Sequence, residues 1–128
     1  MRGYDIRIAG LAIRAPAKWI DNLLSQHDVV EVPRARRGVA RTISHTALVH
    51  LALTRELHVS LGLGVREALQ LSQKLLANSK EAGVPTGHLR ISVDRATLER
   101  TLDSRLREVL ESAPSPRRGR PRRRLVPK

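Results

Sequence analysis

The sequence predicts a mainly α-helical protein with one small β-hairpin and, later in the chain, a strand that is followed by a last helix. Five stretches place apolar residues at helical spacing, which is the main signal for amphipathic helices. A segment rich in valine and arginine separates the second stretch from the third, and β-branched residues favour extended structure. The 128 residues suit one modest core with appendages, and the absence of cysteine excludes a disulfide framework and a thiolate zinc site.

The first two predicted helices, residues 5–14 and 16–27, are joined by a tight connection in which Pro16 fits the first turn of the second helix. The apolar residues of the first helix are Ile6, Ala9, Leu11, Ala12 and Ile13. Those of the second helix are Ile20, Leu23, Leu24 and His27, with Trp19 expected in the core one turn before Leu23. The opposite face of the second helix presents Lys18, Asp21, Asn22 and Ser25.

A small hairpin with an arginine-rich tip is predicted next. Val29, Val30 and Val32 favour one extended arm, and apolar and polar residues alternate after Gly38 as far as Ile43. The four arginines of this segment, with no acidic residue among them, are Arg34, Arg36, Arg37 and Arg41. The hairpin is expected to end at Ser44, which is a good N-cap for a third helix.

Two further helices are predicted over residues 45–60 and 65–76, with Gly62 and Gly64 between them. The second of these helices carries its inward stripe on Val65, Ala68, Leu69, Ser72, Leu75 and Leu76. Residues 82–88 are expected to form a turn or linker, and residues 89–93 alternate as a one-sided strand. Asp94 is expected to cap a fifth helix. The residues of that helix expected to point inward are Leu98, Leu102, Leu106, Val109 and Leu110.

The strand at residues 89–93 needs a partner, because a lone strand leaves backbone N–H and C=O groups unpaired. It either joins the hairpin sheet of its own chain or pairs with the same strand of a second copy across a two-fold axis. We favour the second arrangement, in which residues 83–112 are the oligomerisation element of a homodimer. Its interface residues would be Leu89, Ile91, Val93, Leu98, Leu102, Leu106 and Val109.

The net charge of +12 is unevenly distributed, which indicates a polyanionic partner, most simply nucleic acid. Residues 113–128 contain seven basic residues and no acidic one, and the arginine-rich hairpin adds a second cluster. Tyr4 and Trp19 are the only aromatic residues, whereas proteins that bind single strands stack the bases on several aromatic rings. The expected partner is therefore double-stranded DNA.

Helix, tight turn, helix, basic hairpin, helix and helix is the order of a winged helix-turn-helix, and residues 4–77 resemble the MerR family. "YDIRIAGLAIRAPAKWIDNLL" is similar to the family's opening, "RARRGVARTIS" to its wing, and "ALVHLALTRELHVSLGLGVREALQLSQKLL" to its third and fourth helices. The resemblance implies that residues 1–82 form a bacterial DNA-binding domain. Its second helix would enter the major groove, and its wing would contact phosphate or the minor groove.

Matched to this sequence, the resemblance implies DNA contacts by Arg14 in the turn, by Lys18, Asn22 and Ser25 on the second helix, and by Arg34, Arg36, Arg37 and Arg41 on the wing. The chain departs from the family in having only Lys18 as a cation on the second helix, with Asp21 beside it. The cysteines and the added pocket of effector-sensing members are missing. We therefore expect no metal, cofactor or small-molecule ligand.

The C-terminal residues 113–128 are predicted to form a disordered basic tail. The tail resembles an AT-hook, whose Gly-Arg-Pro centre and basic flanks are matched by Arg117, Arg118, Gly119, Arg120, Pro121, Arg122, Arg123 and Arg124. This resemblance implies that the arginines enter the narrow minor groove of A·T-rich DNA. The alternative is a polycationic tail without base preference.

These features predict a sequence-selective DNA-binding protein that regulates transcription as a dimer in the cytoplasm, associated with the nucleoid. We expect no enzyme, because the sequence shows no nucleophile–base set, no phosphate-cradling loop and no paired-carboxylate metal site. No apolar run approaches the roughly 18–20 residues that a membrane crossing needs. Two alternatives stay open. One is an architectural, nucleoid or phage recombination-type DNA-binding factor, and the other is an antitoxin-like module in which residues 88–112 hold a protein partner.

Overall fold

The computed structural model describes residues 3–32, 42–77 and 84–112. In these parts of the chain the predicted mainly helical class is confirmed. The helices are α1 (Ile6–Ile13), α2 (Ala17–Gln26), α3 (His45–Leu61), α4 (Val65–Ala77) and α5 (Arg95–Ser112). The strands are short: β1 (Gly3–Tyr4), β2 (Ile43–Ser44), β3 (Val84–Thr86) and β4 (Leu89–Ile91).

The turn between α1 and α2 depends on a close backbone approach at Gly10. Arg14 ends α1 in the left-handed conformation, with φ 60, and its backbone N–H donates to the Gly10 carbonyl. A Cβ atom on Gly10 would lie 2.7 Å from the carbonyl oxygen of Ala15. Glycine is therefore needed at this position for the chain to turn back so tightly into α2.

A single hydrophobic core takes side chains from all five helices and from Ile43. The predicted inward faces are confirmed for most residues, but Leu11 and Leu110 are 60% and 48% exposed. Each helical residue rotates by about 100°, so Leu11 points away from the face that buries Ala9 and Ala12. From Leu102 to Leu106 and from Leu106 to Leu110, each step of four residues advances by about 40° around the helix. Leu110 is thereby turned away from the inward face of α5.

The β-pairing around the arginine-rich segment differs from the prediction. β2 pairs antiparallel with β1, with Gly3 opposite Ser44 and Tyr4 opposite Ile43. Residues 29–32 form a turn in which the Val32 N–H donates to the Val29 carbonyl at 3.1 Å. The prediction that residues 29–32 are one arm of the hairpin is therefore wrong, and the predicted tip lies outside the described residues.

The strand at residues 89–91 finds its partner in the preceding residues. β3 and β4 form an antiparallel hairpin with Val84 opposite Ile91 and Thr86 opposite Leu89, and Gly87 in the turn has φ 64. The prediction that this strand pairs with the hairpin sheet of its own chain or with the same strand of a second copy is therefore wrong. A two-residue turn brings adjacent segments into register at little entropic cost. The interpretation of residues 82–88 as a turn or linker missed β3, which is the first arm of this hairpin.

Helix α5 belongs to the same core as the other helices. It packs along α1 and reaches the start of α3. Two polar contacts tie it to the rest of the chain: His45 Nε2 lies 2.7 Å from Asp103 Oδ1, and the Arg95 guanidinium donates to the Leu76 carbonyl at 3.0 Å. Leu102 and Leu106 lie between these helices and are only 2% and 5% exposed.

Candidate nucleic-acid interface

The structure brings three of the predicted DNA-binding residues together on one face of α2. Lys18, Asn22 and Ser25 are all exposed, and Asp21 lies among them. The opposite face of the helix is fixed by its buried residues Ile20, Leu23 and Leu24. Because the buried face packs into the core, the rotation of α2 about its axis is set and the polar face is presented outward.

Arg14 is exposed at the turn that precedes α2. Its φ of 60 places its backbone in the left-handed region, which is less favourable by about 1–2 kcal/mol for a residue other than glycine. The turn geometry therefore holds an arginine in a conformation that would suit glycine better. Such local strain is common at functional positions.

The two ends of the arginine-rich segment are joined by a contact between Glu31 and Ser44. The Ser44 hydroxyl donates to Glu31 Oε1 at 2.8 Å and accepts from the Ala47 N–H at 3.1 Å. Ser44 is the N-cap of α3, as the sequence predicted, and Glu31 has φ 61. The Glu31 carboxylate thus lies at the positive end of the α3 dipole, where a negative charge is favourable.

The predicted wing and tail residues lie outside the described part of the chain. This holds for Arg34, Arg36, Arg37 and Arg41 in the wing, and for the whole AT-hook-like segment from Arg117 to Arg124. Their DNA contacts stay predictions. The contact between Glu31 and Ser44 belongs to the described residues on either side of this segment.

The structure also brings together a cluster that the sequence did not reveal. The guanidinium carbon of Arg55 lies 4.9 Å from the centroid of the Trp19 ring. The His58 ring stacks on Trp19 at 6.0 Å between centroids, with the planes 28° apart. The sequence predicted Trp19 to be a core residue. In the structure it is half-buried and packs against the buried core from outside.

Within this cluster the proton on the His58 ring can be assigned. His58 Nδ1 lies 2.7 Å from the Leu63 carbonyl oxygen, and a carbonyl only accepts hydrogen bonds. Nδ1 therefore carries a proton and orients the ring against Trp19. The sequence offered one weak signal for the cluster, since Arg55 and His58 are three residues apart and so share a face of α3.

The fold lowers the pKa of Asp94, the residue that directly precedes α5. Its pKa lies below the ordinary value of 3.8, because Thr97 donates to the carboxylate from its hydroxyl at 2.7 Å and from its backbone N–H at 3.1 Å. These hydrogen bonds confirm the predicted cap of α5. Asp94 is fully exposed and acts as a helix cap.

The described residues contain no group of three or more His, Cys, Asp or Glu side chains placed to hold a metal ion. None of the helices in these parts of the chain combines the length and the apolar character that a membrane crossing requires.

The predicted dimer residues differ in how much surface they leave free. Leu102 and Leu106 have almost no surface left for a second copy, because they are buried in the core of their own chain. Leu89 is 67% exposed. The half-buried residues of the set are Ile91, Val93, Leu98 and Val109. A homodimer stays a prediction, and any such interface would have to use Leu89 and the half-buried residues.

Comparison with known proteins adds no assignment. No family model matches this chain, and neither a curated protein nor a solved structure matches it. The MerR-like character therefore stays an expectation from the sequence pattern.

Proposed function

We propose that this protein binds double-stranded DNA and regulates transcription as a homodimer without a small-molecule effector, with α2 as the helix that enters the major groove. The observation that carries the proposal is the exposed face of α2, which presents Lys18, Asn22 and Ser25 directly after a glycine-dependent turn from α1. The net charge of +12 supports a polyanionic partner.

The dimensions of α2 fit this role. Its 10 residues make a helix about 15 Å long, and an α-helix with its side chains has roughly the width of the major groove, about 12 Å. A helix-turn-helix places its second helix in the groove by its polar face while the first helix crosses the backbone. The tight turn after α1, which Gly10 permits, keeps α1 and α2 in contact, and this supports the proposal.

The chemistry of the α2 face allows base reading as well as backbone contact. An asparagine amide can pair with the N6 and N7 edge of adenine, and a lysine ammonium can donate to O6 and N7 of guanine. Asn22 and Lys18 are thus the residues proposed to select bases. The wing and tail arginines are proposed to supply affinity through phosphate and minor-groove contacts.

Binding of the full-length protein to duplexes, followed by fluorescence anisotropy, tests the proposal. Asn22→Ala should weaken binding to the preferred duplex by about 1–3 kcal/mol and relax base preference at one position. Gln70→Ala is the matched control, because it removes an exposed amide from α4. If the wild-type protein binds no duplex even at low salt, the proposal is wrong.

A second candidate function is an architectural role, in which the protein coats or bends DNA. The composition of the α2 face favours it, because Lys18 is the only cation there and Asp21 lies beside it. An architectural protein relies on backbone charge and DNA deformability more than on base contacts. Footprinting separates the two functions: one discrete palindrome indicates a regulator, and cooperative spreading over A·T-rich tracts indicates an architectural protein.

A further inference from the structure

We infer that Arg55, which lies on α3 outside both α2 and the wing, is a further phosphate-binding residue of the DNA interface, and that Trp19 positions it. This inference rests on the proposed function, because it concerns the same DNA-binding surface. It assigns a role to a contact between two helices that the sequence pattern did not reveal.

The Arg55 guanidinium and the Trp19 ring are in cation–π contact. Arg55 Cζ lies 4.9 Å from the Trp19 centroid, within the roughly 6 Å over which a cation and a ring attract each other. A guanidinium that lies over a ring still has its N–H donors around its own edge, available to oxygen atoms. In the described parts of the chain, no carboxylate forms an ion pair with Arg55. The side chain is therefore held in place while its donors are left for an anion.

The neighbours of Trp19 on α2 define its position on the helix. Asn22, three residues later, is exposed, whereas Leu23, four residues later, is buried. Trp19 therefore lies on the border between the buried and the exposed face of the helix, and it is half-buried itself. Because Arg55 packs against this ring, its charge lies beside Trp19, the residue at the border of the face that carries Asn22.

In a complex with duplex DNA, a cation at the edge of the exposed face of α2 would lie near phosphate. When a helix lies in the major groove, the two phosphate backbones run along its flanks, so a cation at the edge of the polar face reaches phosphate more readily than bases. The exposed face of α2 has Lys18 as its only cation. Arg55 supplies a second positive charge there, from a neighbouring helix. Its planar fork of donors suits phosphate oxygens.

A phosphate contact and a purely structural contact have different consequences. A structural arginine affects stability, but its removal leaves the number of released counterions unchanged. A phosphate-binding arginine contributes about 0.9 to the slope of log affinity against log salt concentration. The salt slope is therefore the measurement that distinguishes the two roles.

The experiment measures the affinity of the full-length protein for duplex DNA over a range of salt concentrations. The variants are Arg55→Gln, which keeps much of the side chain without its charge, and Arg55→Lys, which keeps the charge without the planar fork. Arg107→Ala is the matched control, because it removes an exposed arginine from α5. Arg55→Gln should lower the slope by about 0.9 on every duplex tested, whereas Arg55→Lys and Arg107→Ala should leave it near the wild-type value.

The fluorescence of Trp19 provides a second measurement, because Trp19 is the only tryptophan of the chain. Saturation with duplex DNA should change the Trp19 emission of the wild-type protein, and this change should be smaller in Arg55→Gln. Circular dichroism of each variant confirms that the helices are intact. If Arg55→Gln fails this check, Arg55→Met, which also keeps a long side chain without its charge, takes its place in the salt titration and should lower the slope by the same amount.

Each contrary outcome has a distinct meaning. If the wild-type protein binds DNA and Arg55→Gln keeps the wild-type slope, the inference is overturned and the proposed function stands. If Arg55→Gln and Arg107→Ala lower the slope equally, general electrostatic attraction explains the effect and the inference is again overturned. If the wild-type protein binds no duplex at low salt, the proposed function fails and the inference fails with it.

Discussion

The Thr54 hydroxyl oxygen lies 3.0 Å from the Ser72 hydroxyl oxygen in the interface between α3 and α4, and both residues are fully buried. Thr54 also donates to the His50 carbonyl at 2.7 Å, so its single proton is engaged within its own helix. Ser72 is then the residue that donates across the interface. This polar contact fixes how α3 and α4 are aligned along their length, because any sliding would leave buried hydroxyls unpaired.

Thr54→Val should lower the free energy of unfolding by about 1–3 kcal/mol, because it leaves the Ser72 hydroxyl buried without its partner. In the double variant Thr54→Val/Ser72→Ala, the loss of unfolding free energy should be smaller than the sum of the losses in the two single variants, because both polar groups are removed. Urea unfolding of the four proteins measures this coupling. Thr101→Val on the exposed face of α5 is the control, and a fully additive double variant would contradict the prediction.

Gly10→Ala should destabilise the protein by about 1–3 kcal/mol and weaken DNA binding, because the new Cβ would lie 2.7 Å from the Ala15 carbonyl oxygen. The backbone of the turn would have to move, and α2 would move with it. Gly64→Ala is the control. Its Cβ would meet only the end of the flexible Glu67 side chain, so the backbone need not move and DNA binding should be unchanged, although the loss of glycine directly before α4 should cost about 0.5–1 kcal/mol. Thermal unfolding and anisotropy measure the two effects, and equal behaviour of the two variants would disprove the role of the turn.

Asp94→Ala should destabilise α5 at neutral pH but not in acid. The folded-state pKa of Asp94 lies below 3.8, so the ionised carboxylate stabilises the fold above that value and this contribution is lost as the pH falls through the folded pKa. The difference in urea midpoint between the wild type and the variant should be largest above about pH 5 and shrink as the carboxylate protonates. Asp94→Asn, which can cap without a charge, should lie closer to the wild type than Asp94→Ala at every pH, while its difference from the wild type shrinks in acid in the same way. A constant difference across the whole range would contradict the assignment.

Removal of residues 113–128 should weaken binding to A·T-rich duplexes more than binding to G·C-rich duplexes. The reason is the predicted AT-hook, whose arginines favour the narrow and strongly negative minor groove of A·T tracts. Anisotropy on two duplexes of equal length measures the difference at one fixed salt concentration. An equal loss on both duplexes would mean that the tail is only polycationic.

The sequence determined the local structure of this protein well. Helical periodicity predicted the buried stripe of α4, where Ala68, Leu69, Ser72, Leu75 and Leu76 are all buried. The caps at Ser44 and Asp94 were predicted correctly, because capping depends on a residue and its next three neighbours. The exposed polar face of α2 followed from the same periodicity, since the residues of one helix fix which of them share a face.

Only the tertiary structure decided which elements meet. No pattern in the sequence pairs Ile43 with Tyr4, because a two-residue strand is too short to show one. It could not say whether Leu102 and Leu106 would be covered by a second copy or by the same chain, since an apolar stripe specifies burial and not the partner. The contact of Arg55 with Trp19 is of the same kind. It joins residues distant in the sequence whose meeting depends on how α2 and α3 pack, and no local propensity records that packing.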